Sequence, residues 1–570
     1  MLLTLKYLKP LEQNKTYDFC VVGSGAGAGP IIYEMSKAGF KVLVLEKGPW
    51  IKTEHSSKDE LVSCRRSVYT PNKQDEFHVI ESQHKNGEWH AQATRDSSKD
   101  YWNGSCVGGS SNFMSAYFHR MKPKDFRLLS EYGPIEGANI VDWPVNYNDF
   151  EPYYTKVETV IGVSGEVRQH STLEPRSTPN YPYPPLKTNA IANWIDKAGI
   201  DLGIEIVHGA RGILSQPKND RNACYHSNYC GSYGCSSDAK GSSRVALINE
   251  ALKTGNCDII PNAKVFHLET DGHKNIVKAH YYLNGEKQFI KASTFVVACQ
   301  AIETSRLLLA SKNADFPNGL GNENGLVGKN LIFSGGGVGG GNLYFDELSE
   351  EDAKSIKNPE SFVNRAIQQW YEINDEELGQ VKGGTIDFLF EHTNPMPKLS
   401  RQKIKEGKLI YGSQLKSNIQ KYFKEQRRIK FEIFNDWLPT DNCYVELDQN
   451  EVDKWGDPVA KVRIGYHPHD LVIAKYLAKK GELILDKLGA KNISTGVSGA
   501  PSPNLVVGGC RFGKDPKTSV LDVNCKMHSV SNLYITDGSF IPTGGSVPYT
   551  WTIYANSFRV ANHLLGTFAK

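Results

Sequence analysis

Residues 17–46 read YDFCVVGSGAGAGPIIYEMSKAGFKVLVLE. Tyr17–Val22 has the apolar, partly β-branched character of a buried strand and stops at a glycine. Gly23-Ser24-Gly25-Ala26-Gly27-Ala28 then spells a GxGxxA turn, 31–38 carries apolar residues at helical spacing, and Gly39 ends that helix. Residues 41–45 read as a second strand, closed by Glu46, 23 residues after Gly23. Strand, glycine turn, helix, strand and acid in this order fit a bound dinucleotide. Gly23 makes the tight turn, Gly25 lets backbone approach a pyrophosphate, and Ala28 is small enough for the helix to pack on the sheet. The helix N-terminus offers free N–H groups and a partial positive charge to that pyrophosphate. Glu46 is placed to accept hydrogen bonds from ribose hydroxyls, which suits FAD or NAD; the motif alone does not choose between them.

The chain has 570 residues, more than one hydrophobic core accommodates, so two or more domains are expected. With 39% hydrophobic and 23% charged residues it is ordinary globular material. The net charge is only +3 and no basic block recurs, which argues against a nucleic-acid partner. Lys6, Lys9 and Pro10 interrupt the apolar start before a secretory signal can form, and no apolar window reaches the length of a membrane span. A cytoplasmic location is therefore expected, although export with a signal-bearing partner to the periplasm leaves the same sequence signature. The 11 cysteines are an odd number without a signal, which disfavours a disulfide framework; Cys20 and Cys299, inside apolar runs, read as small core residues.

A second glycine-serine loop, 104–112, contains Gly108, Gly109, Ser110 and Asn112, and reads either as backbone laid against a flat or phosphorylated ligand or as a surface turn. Before it, 47–102 reads as polar and irregular. Residues 175–187 are proline-rich and extended, and Ala190–Leu202 returns to helical spacing. Cys224, Cys230 and Cys235 follow at C-x5-C-x4-C spacing. Helix is expected over 244–252 and 303–310, and strand over 259–268, 279–282 and 294–298. Six glycines within 335–341 exclude a stiff strand interior and suit a bulged, closely approached segment or a mobile loop. Residues 342–493 change character: alternation over 430–437 and 443–447 predicts antiparallel strands, and 474–488 predicts a helix. Residues 532–537 form a strand ending in Asp537, followed by Gly538, and Pro548 precedes an apolar helix over 552–565.

These pieces in this order resemble the glucose–methanol–choline (GMC) family of FAD-dependent oxidoreductases. The resemblance rests on the nucleotide unit, the GGSS loop, VVACQAIETSRLLL, VGKNL, GCRFGKDPKTSVLD and HSVSNLYITDGSFIPTGG, and it runs from end to end with a weaker middle. It implies an α/β FAD-binding domain of the Rossmann-like, glutathione-reductase type, built from 1–125, 210–341 and 494–570. An α+β antiparallel-sheet domain from 126–209 and 342–493 would cover the flavin and shape the substrate pocket. The implied chemistry is hydride transfer from a carbon bearing a hydroxyl to flavin. Carried over, Gly23, Gly25, Gly27, Ala28 and Glu46 hold the ADP half, and Val265 contacts adenine. Gly108, Gly109 and Ser110 lie on the flavin side, while Asp537 and Gly538 reach the pyrophosphate or ribityl chain. The last helix aims its N-terminus, near Tyr549 and Thr550, at the flavin. Asn112 stands where some relatives tether flavin through histidine, so FAD is expected to be noncovalent. The cysteine trio is similar to a family subgroup that carries a 3Fe-4S cluster on C-x5-C-x3-C, one residue shorter. The residues themselves leave a cluster, a zinc site with His226, and three buried thiols open.

The departures are as informative. The slot of the family's base is Leu505, the second catalytic slot is Pro548, and the histidine after VGRNL-type segments is Ser334. Neither leucine nor proline can take a side-chain proton. His119, Tyr549, Asn504, His467 and His469 remain as candidate bases, while His528 and Arg511 read as structural. The resulting expectation is an FAD dehydrogenase of an alcohol or sugar-like substrate, passing electrons to a cytochrome c or small partner subunit. The alternatives are a non-alcohol, light-driven flavoprotein and an electron-transfer subunit. Flavin that stays with the acid-denatured protein would overturn noncovalent binding.

Overall fold

The computed structural model describes residues 16–568 apart from 58, 60–68, 84–86, 98–100, 102–103, 228–233, 358–361, 391–395, 397–398, 400–401, 406 and 501–504. At its centre, five parallel strands run in the order Leu533–Ile535, Ala292–Val297, Tyr17–Val22, Val42–Leu45 and Cys257–Ile260. Val21, Val44 and Val296 are fully buried, as expected of strands covered on both faces. The helices Gly29–Lys37 and Thr550–Phe568 pack against each other beside this sheet. The first helix starts two residues earlier than its apolar periodicity indicates, because Pro30 is preorganised for the first turn. The stretch 259–268 is not one strand. Cys257–Ile260 stays in the parallel sheet, the chain turns at Asn262 with φ 59°, and Lys264–Thr270 begins a separate three-stranded meander. Pro261 and Asn262 are the local turn signal.

The second large sheet has six strands in the order Lys491–Val497, Gly337–Tyr344, Gln426–Asn435, Gly384–Phe390, Arg365–Ile367 and Ile206–His208. All five of its pairings are antiparallel. One face carries Ile386, Phe388, Ile429, Phe431 and Ile433 into a core closed by the helices Pro468–Lys487 and Ala190–Leu202. The glycine-rich segment is a strand of this sheet, not a loop. A Cβ on Gly339 would stand 2.1 Å from the Phe431 ring, so only glycine lets that ring lie beneath it. Register slips between Gly340 and Asn342, the expected bulge. The boundaries expected at 341/342 and 493/494 fall inside strands of this sheet.

A four-stranded sheet pairs Val79–Gln83 and Trp89–Ala93 with Tyr444–Val452 and Pro458–Ile464. It ties the stretch read as irregular to the sheet-rich middle of the chain. Its charged residues obscured it in the sequence: Glu81 pairs with Lys461 and Arg463 across the strands. Among the described residues, no helix is long and apolar enough to cross a membrane.

Candidate functional site

A cavity of about 560 Å³ runs between the two large sheets. Its lining includes Glu46, Val265 and Arg306, the glycine-loop residues Gly25, Gly109 and Ser110, and Leu505, Pro548 and Glu432. Residues from the beginning, middle and end of the chain therefore share one space.

The glycine turn is shaped as its spacing demands. Gly23 has φ 89°, and a Cβ there would stand 2.4 Å from the Ala298 carbonyl oxygen. A Cβ on Gly27 would stand 2.5 Å from both Asp537 Cα and the Thr536 carbonyl oxygen, so this glycine lets the first turn meet the last strand. Gly25 differs: a Cβ there meets only Gly109 Cα, at 4.0 Å, because the position opens onto the cavity. Ala28 is fully buried at the start of the helix and serves packing.

Glu46 is buried and accepts hydrogen bonds from the Ser24 hydroxyl and, at 2.9 Å, from the Gly48 amide. Ser24 in turn accepts from the Gly108 amide at 2.9 Å, which joins the two glycine loops. Burial pushes the Glu46 carboxyl up from its ordinary 4.5 to about 7, against the pull of those hydrogen bonds. The fold therefore favours the protonated form of this group. Its stabilising contribution is complete below pH 4.5 and is lost as pH rises to about 7. For the cofactor-free protein, Glu46→Gln is expected to raise the melting temperature by a few degrees at pH 8 and to leave it unchanged at pH 4.5. Calorimetry at both pH values checks this, and equal melting at pH 8 contradicts it.

Gly108 and Asn112 do not line the cavity. Asn112 Nδ2 donates to the carbonyls of Val107 at 2.8 Å and Gly109 at 3.1 Å, so it braces the loop from behind. Gly109 and Ser110 do line the cavity, and Ser110 accepts from the Gly104 amide at 2.9 Å. Asp537 and Gly538 reach it as well; Asp537 accepts from the Ser539 amide at 2.8 Å and so fixes the turn that follows. The last helix opens at Thr550 on the cavity wall, presenting its positive end there.

The candidate bases separate. Tyr549 lines the cavity, but its buried hydroxyl donates to the Phe333 carbonyl at 3.1 Å, and burial pushes its pKa further up. It is not poised to take a proton. His119 is buried off the cavity with Nε2 3.0 Å from Asp387. His467 caps the helix Pro468–Lys487 by accepting from the His469 backbone amide, and neither histidine lines the cavity. Asn504 lies outside the described residues. His528 sits 2.9 Å from the Ser519 hydroxyl, and Arg511 donates to the Thr518 carbonyl at 2.8 Å.

Sequence reading missed Glu432. On Gln426–Asn435 the odd-numbered Ile429, Phe431 and Ile433 face the helix-covered core, which turns Glu432 to the cavity side. Asp387 is its direct cross-strand partner, and Asp387 is the residue His119 holds. Tyr117 lines the same cavity, and burial pushes its hydroxyl pKa up. The alternation of the strand was the available signal. Gln300, Glu303 and Arg306 were missed as well: Gln300 caps Ala301–Ala310 with φ 76°, and Glu303 pairs with Arg306 at 3.1 Å and His78 at 2.9 Å. Leu505, Pro548 and Ser334 do line the cavity.

Of the cysteine trio, Cys230 lies outside the described residues. Cys224 and Cys235 are partly buried against the main core, and Cys235 lies 3.5 Å from the Ser237 hydroxyl. Among the described residues, no three His, Cys, Asp or Glu side chains gather as a metal site.

The residues fit FAD. Gly25 leaves a cradle that a side chain would fill, the N-terminal end of the last helix lines the cavity at Thr550, and a buried carboxyl stands at the second strand's end. Residues 187–333 and 439–557 match two models described as GMC oxidoreductase. The chain is 27% identical to 2-methyl-1,2-propanediol dehydrogenase of Mycolicibacterium austroafricanum, over 97% of this chain and 96% of that one. It is 25% identical to the fructose dehydrogenase large subunit of Gluconobacter japonicus, over 97% and 98%. Among solved structures, pyridoxine 4-oxidase from Mesorbium loti superposes with a TM-score of 0.60 at 16% identity, covering 96% of this chain and 99% of that one.

Proposed function

The chain belongs to the GMC oxidoreductase family of FAD enzymes acting on CH–OH groups, and from that premise we infer that it oxidises a diol- or sugar-like alcohol with Glu432 as the proton acceptor. FAD, when bound, supplies the acceptor for the hydride that leaves the hydroxyl-bearing carbon. Gly25 and the helix Gly29–Lys37 would hold the pyrophosphate, Glu46 the adenosine ribose, and Gly109 with the end of the last helix the flavin side. Leu505 and Pro548, at the two slots where the family resemblance implies proton-handling side chains, offer the cavity none. The proton must then go to another wall, and the sheet presents a carboxylate there. Glu432 Oε takes the hydroxyl proton, while His119 and Asp387 position the neighbouring strand.

The observation that carries this reading is that Glu432, Leu505 and Pro548 line the same cavity as Glu46, Gly25 and Gly109. The test is anaerobic titration with vicinal diols, polyols and sugars. Bleaching of the flavin band by one of them is expected, and a panel that leaves the band unchanged contradicts it.

The acceptor is read as a protein partner, supported by the likeness to a relative named as the large subunit of its enzyme. A cluster on Cys224, Cys230 and Cys235 is the finer version of that reading, supported by the cysteine spacing alone. Iron analysis of protein purified without oxygen decides it. Roughly three irons per chain are expected with a 3Fe-4S cluster, and iron near zero removes the cluster while leaving the FAD reading intact.

A further inference from the structure

The chain's near-neutral total conceals a local imbalance. Residues 398–430 carry eleven Lys and Arg against two Glu, whereas the whole chain sums to +3. Within this stretch, the hairpin of Ile404–Lys405 and Lys408–Leu409 leads into the helix Gly412–Lys424. Asn418 of the helix donates to the Gln402 side chain at 3.2 Å, which pins the two pieces together. Leu415, Ile419 and Tyr422 are half-buried on a helix that packs on Gln426–Asn435, and no residue of the helix is fully buried.

The outer surface is the unusual part. Lys403, Lys408, Lys416, Lys421 and Lys424 are exposed on it. The same hairpin and helix also expose Ile404, Leu409, Tyr411 and Phe423, at 53%, 66%, 80% and 38%. Phe423 and Lys416 lie seven positions apart, two turns along nearly the same line of the helix. Aliphatic and aromatic tips interleaved with ammonium groups have no role in the cavity chemistry. Large apolar side chains held in water in this way mark a contact surface.

We propose that the hairpin and helix spanning 403–424 form a docking surface for anionic phospholipid membranes. Both halves of the composition require it. Phosphate-bearing head groups meet the lysines, and the Leu409 and Tyr411 tips enter the boundary between head groups and acyl chains. A duplex nucleic acid would answer the lysines, but its outer face of phosphate and sugar offers no apolar layer for the aliphatic tips. The attachment is peripheral and rests on neither the identity of the substrate nor that of the catalytic base.

The test sediments the FAD-loaded full chain with unilamellar vesicles at low ionic strength. Vesicles rich in phosphatidylglycerol are expected to bind at least about tenfold more protein than pure phosphatidylcholine vesicles, and rising salt should release it. The triple variant Lys416→Glu, Lys421→Glu, Lys424→Glu should bind those vesicles at least about 100-fold more weakly, at unchanged flavin absorbance and melting temperature. Leu409→Ser with Tyr411→Ser should weaken binding while keeping its salt dependence, because these side chains contribute no charge. Absence of binding to phosphatidylglycerol vesicles, or binding that survives the charge reversal, overturns the proposal. So does retention on duplex DNA or polyglutamate by a protein that ignores the vesicles.

Discussion

Glu432→Gln is expected to lower kcat by about 10²–10⁴-fold, the range that general-base catalysis contributes, at unchanged FAD content. Glutamine keeps the size and the hydrogen-bonding reach of the side chain but cannot store a proton at neutral pH. The strand that carries it packs through Ile429, Phe431 and Ile433 on its other face, so the fold should survive the change. Stopped-flow reduction of the flavin by an active alcohol measures the effect directly. A variant within threefold of wild type would place the proton elsewhere. His119→Ala provides the contrast: acting only through Asp387, it should slow the reaction less and leave the shape of the pH profile intact.

The second large effect concerns the glycine turn, where two similar substitutions should part company. Gly25→Val is expected to give folded protein that binds FAD about 10- to 100-fold more weakly, the equivalent of a typical overpacking cost. Its new side chain projects into the cavity, with the nearest neighbour of a Cβ 4.0 Å away. Gly27→Val is expected to yield no folded protein, since its Cβ would stand 2.5 Å from backbone of the last strand. Circular dichroism of each variant with flavin titration separates the outcomes. Wild-type affinity in Gly25→Val would contradict the placement of the pyrophosphate.

These two predictions show why the site was only half legible in the sequence. Gly23, Gly25, Gly27 and Glu46 answer to backbone geometry and a fixed unit of strand, turn and helix, and such demands leave a pattern along the chain. Leu505 and Pro548 were legible as losses because the motifs around them fix their position. Glu432 was hidden because one acid among alternating residues of a strand looks like any solvent-facing side chain until its partner strands are known. The hydrogen bond of His119 spans 268 positions to Asp387, so no local reading reveals that this histidine is spoken for. The glycine-rich strand was ambiguous for a similar reason: the Phe431 ring that explains Gly339 comes from a strand about 90 residues later.

The central sheet takes its outermost strand, Leu533–Ile535, from the last tenth of the chain, and the Ser557 hydroxyl reaches back to the Gly27 carbonyl across 530 positions at 2.6 Å. During synthesis, the first βα unit therefore emerges from the ribosome long before the elements that complete it. The nascent chain has no finished coenzyme pocket until translation is almost over. A premature stop anywhere upstream of that strand costs the whole pocket rather than its final helix alone, so a truncated product should emerge without colour.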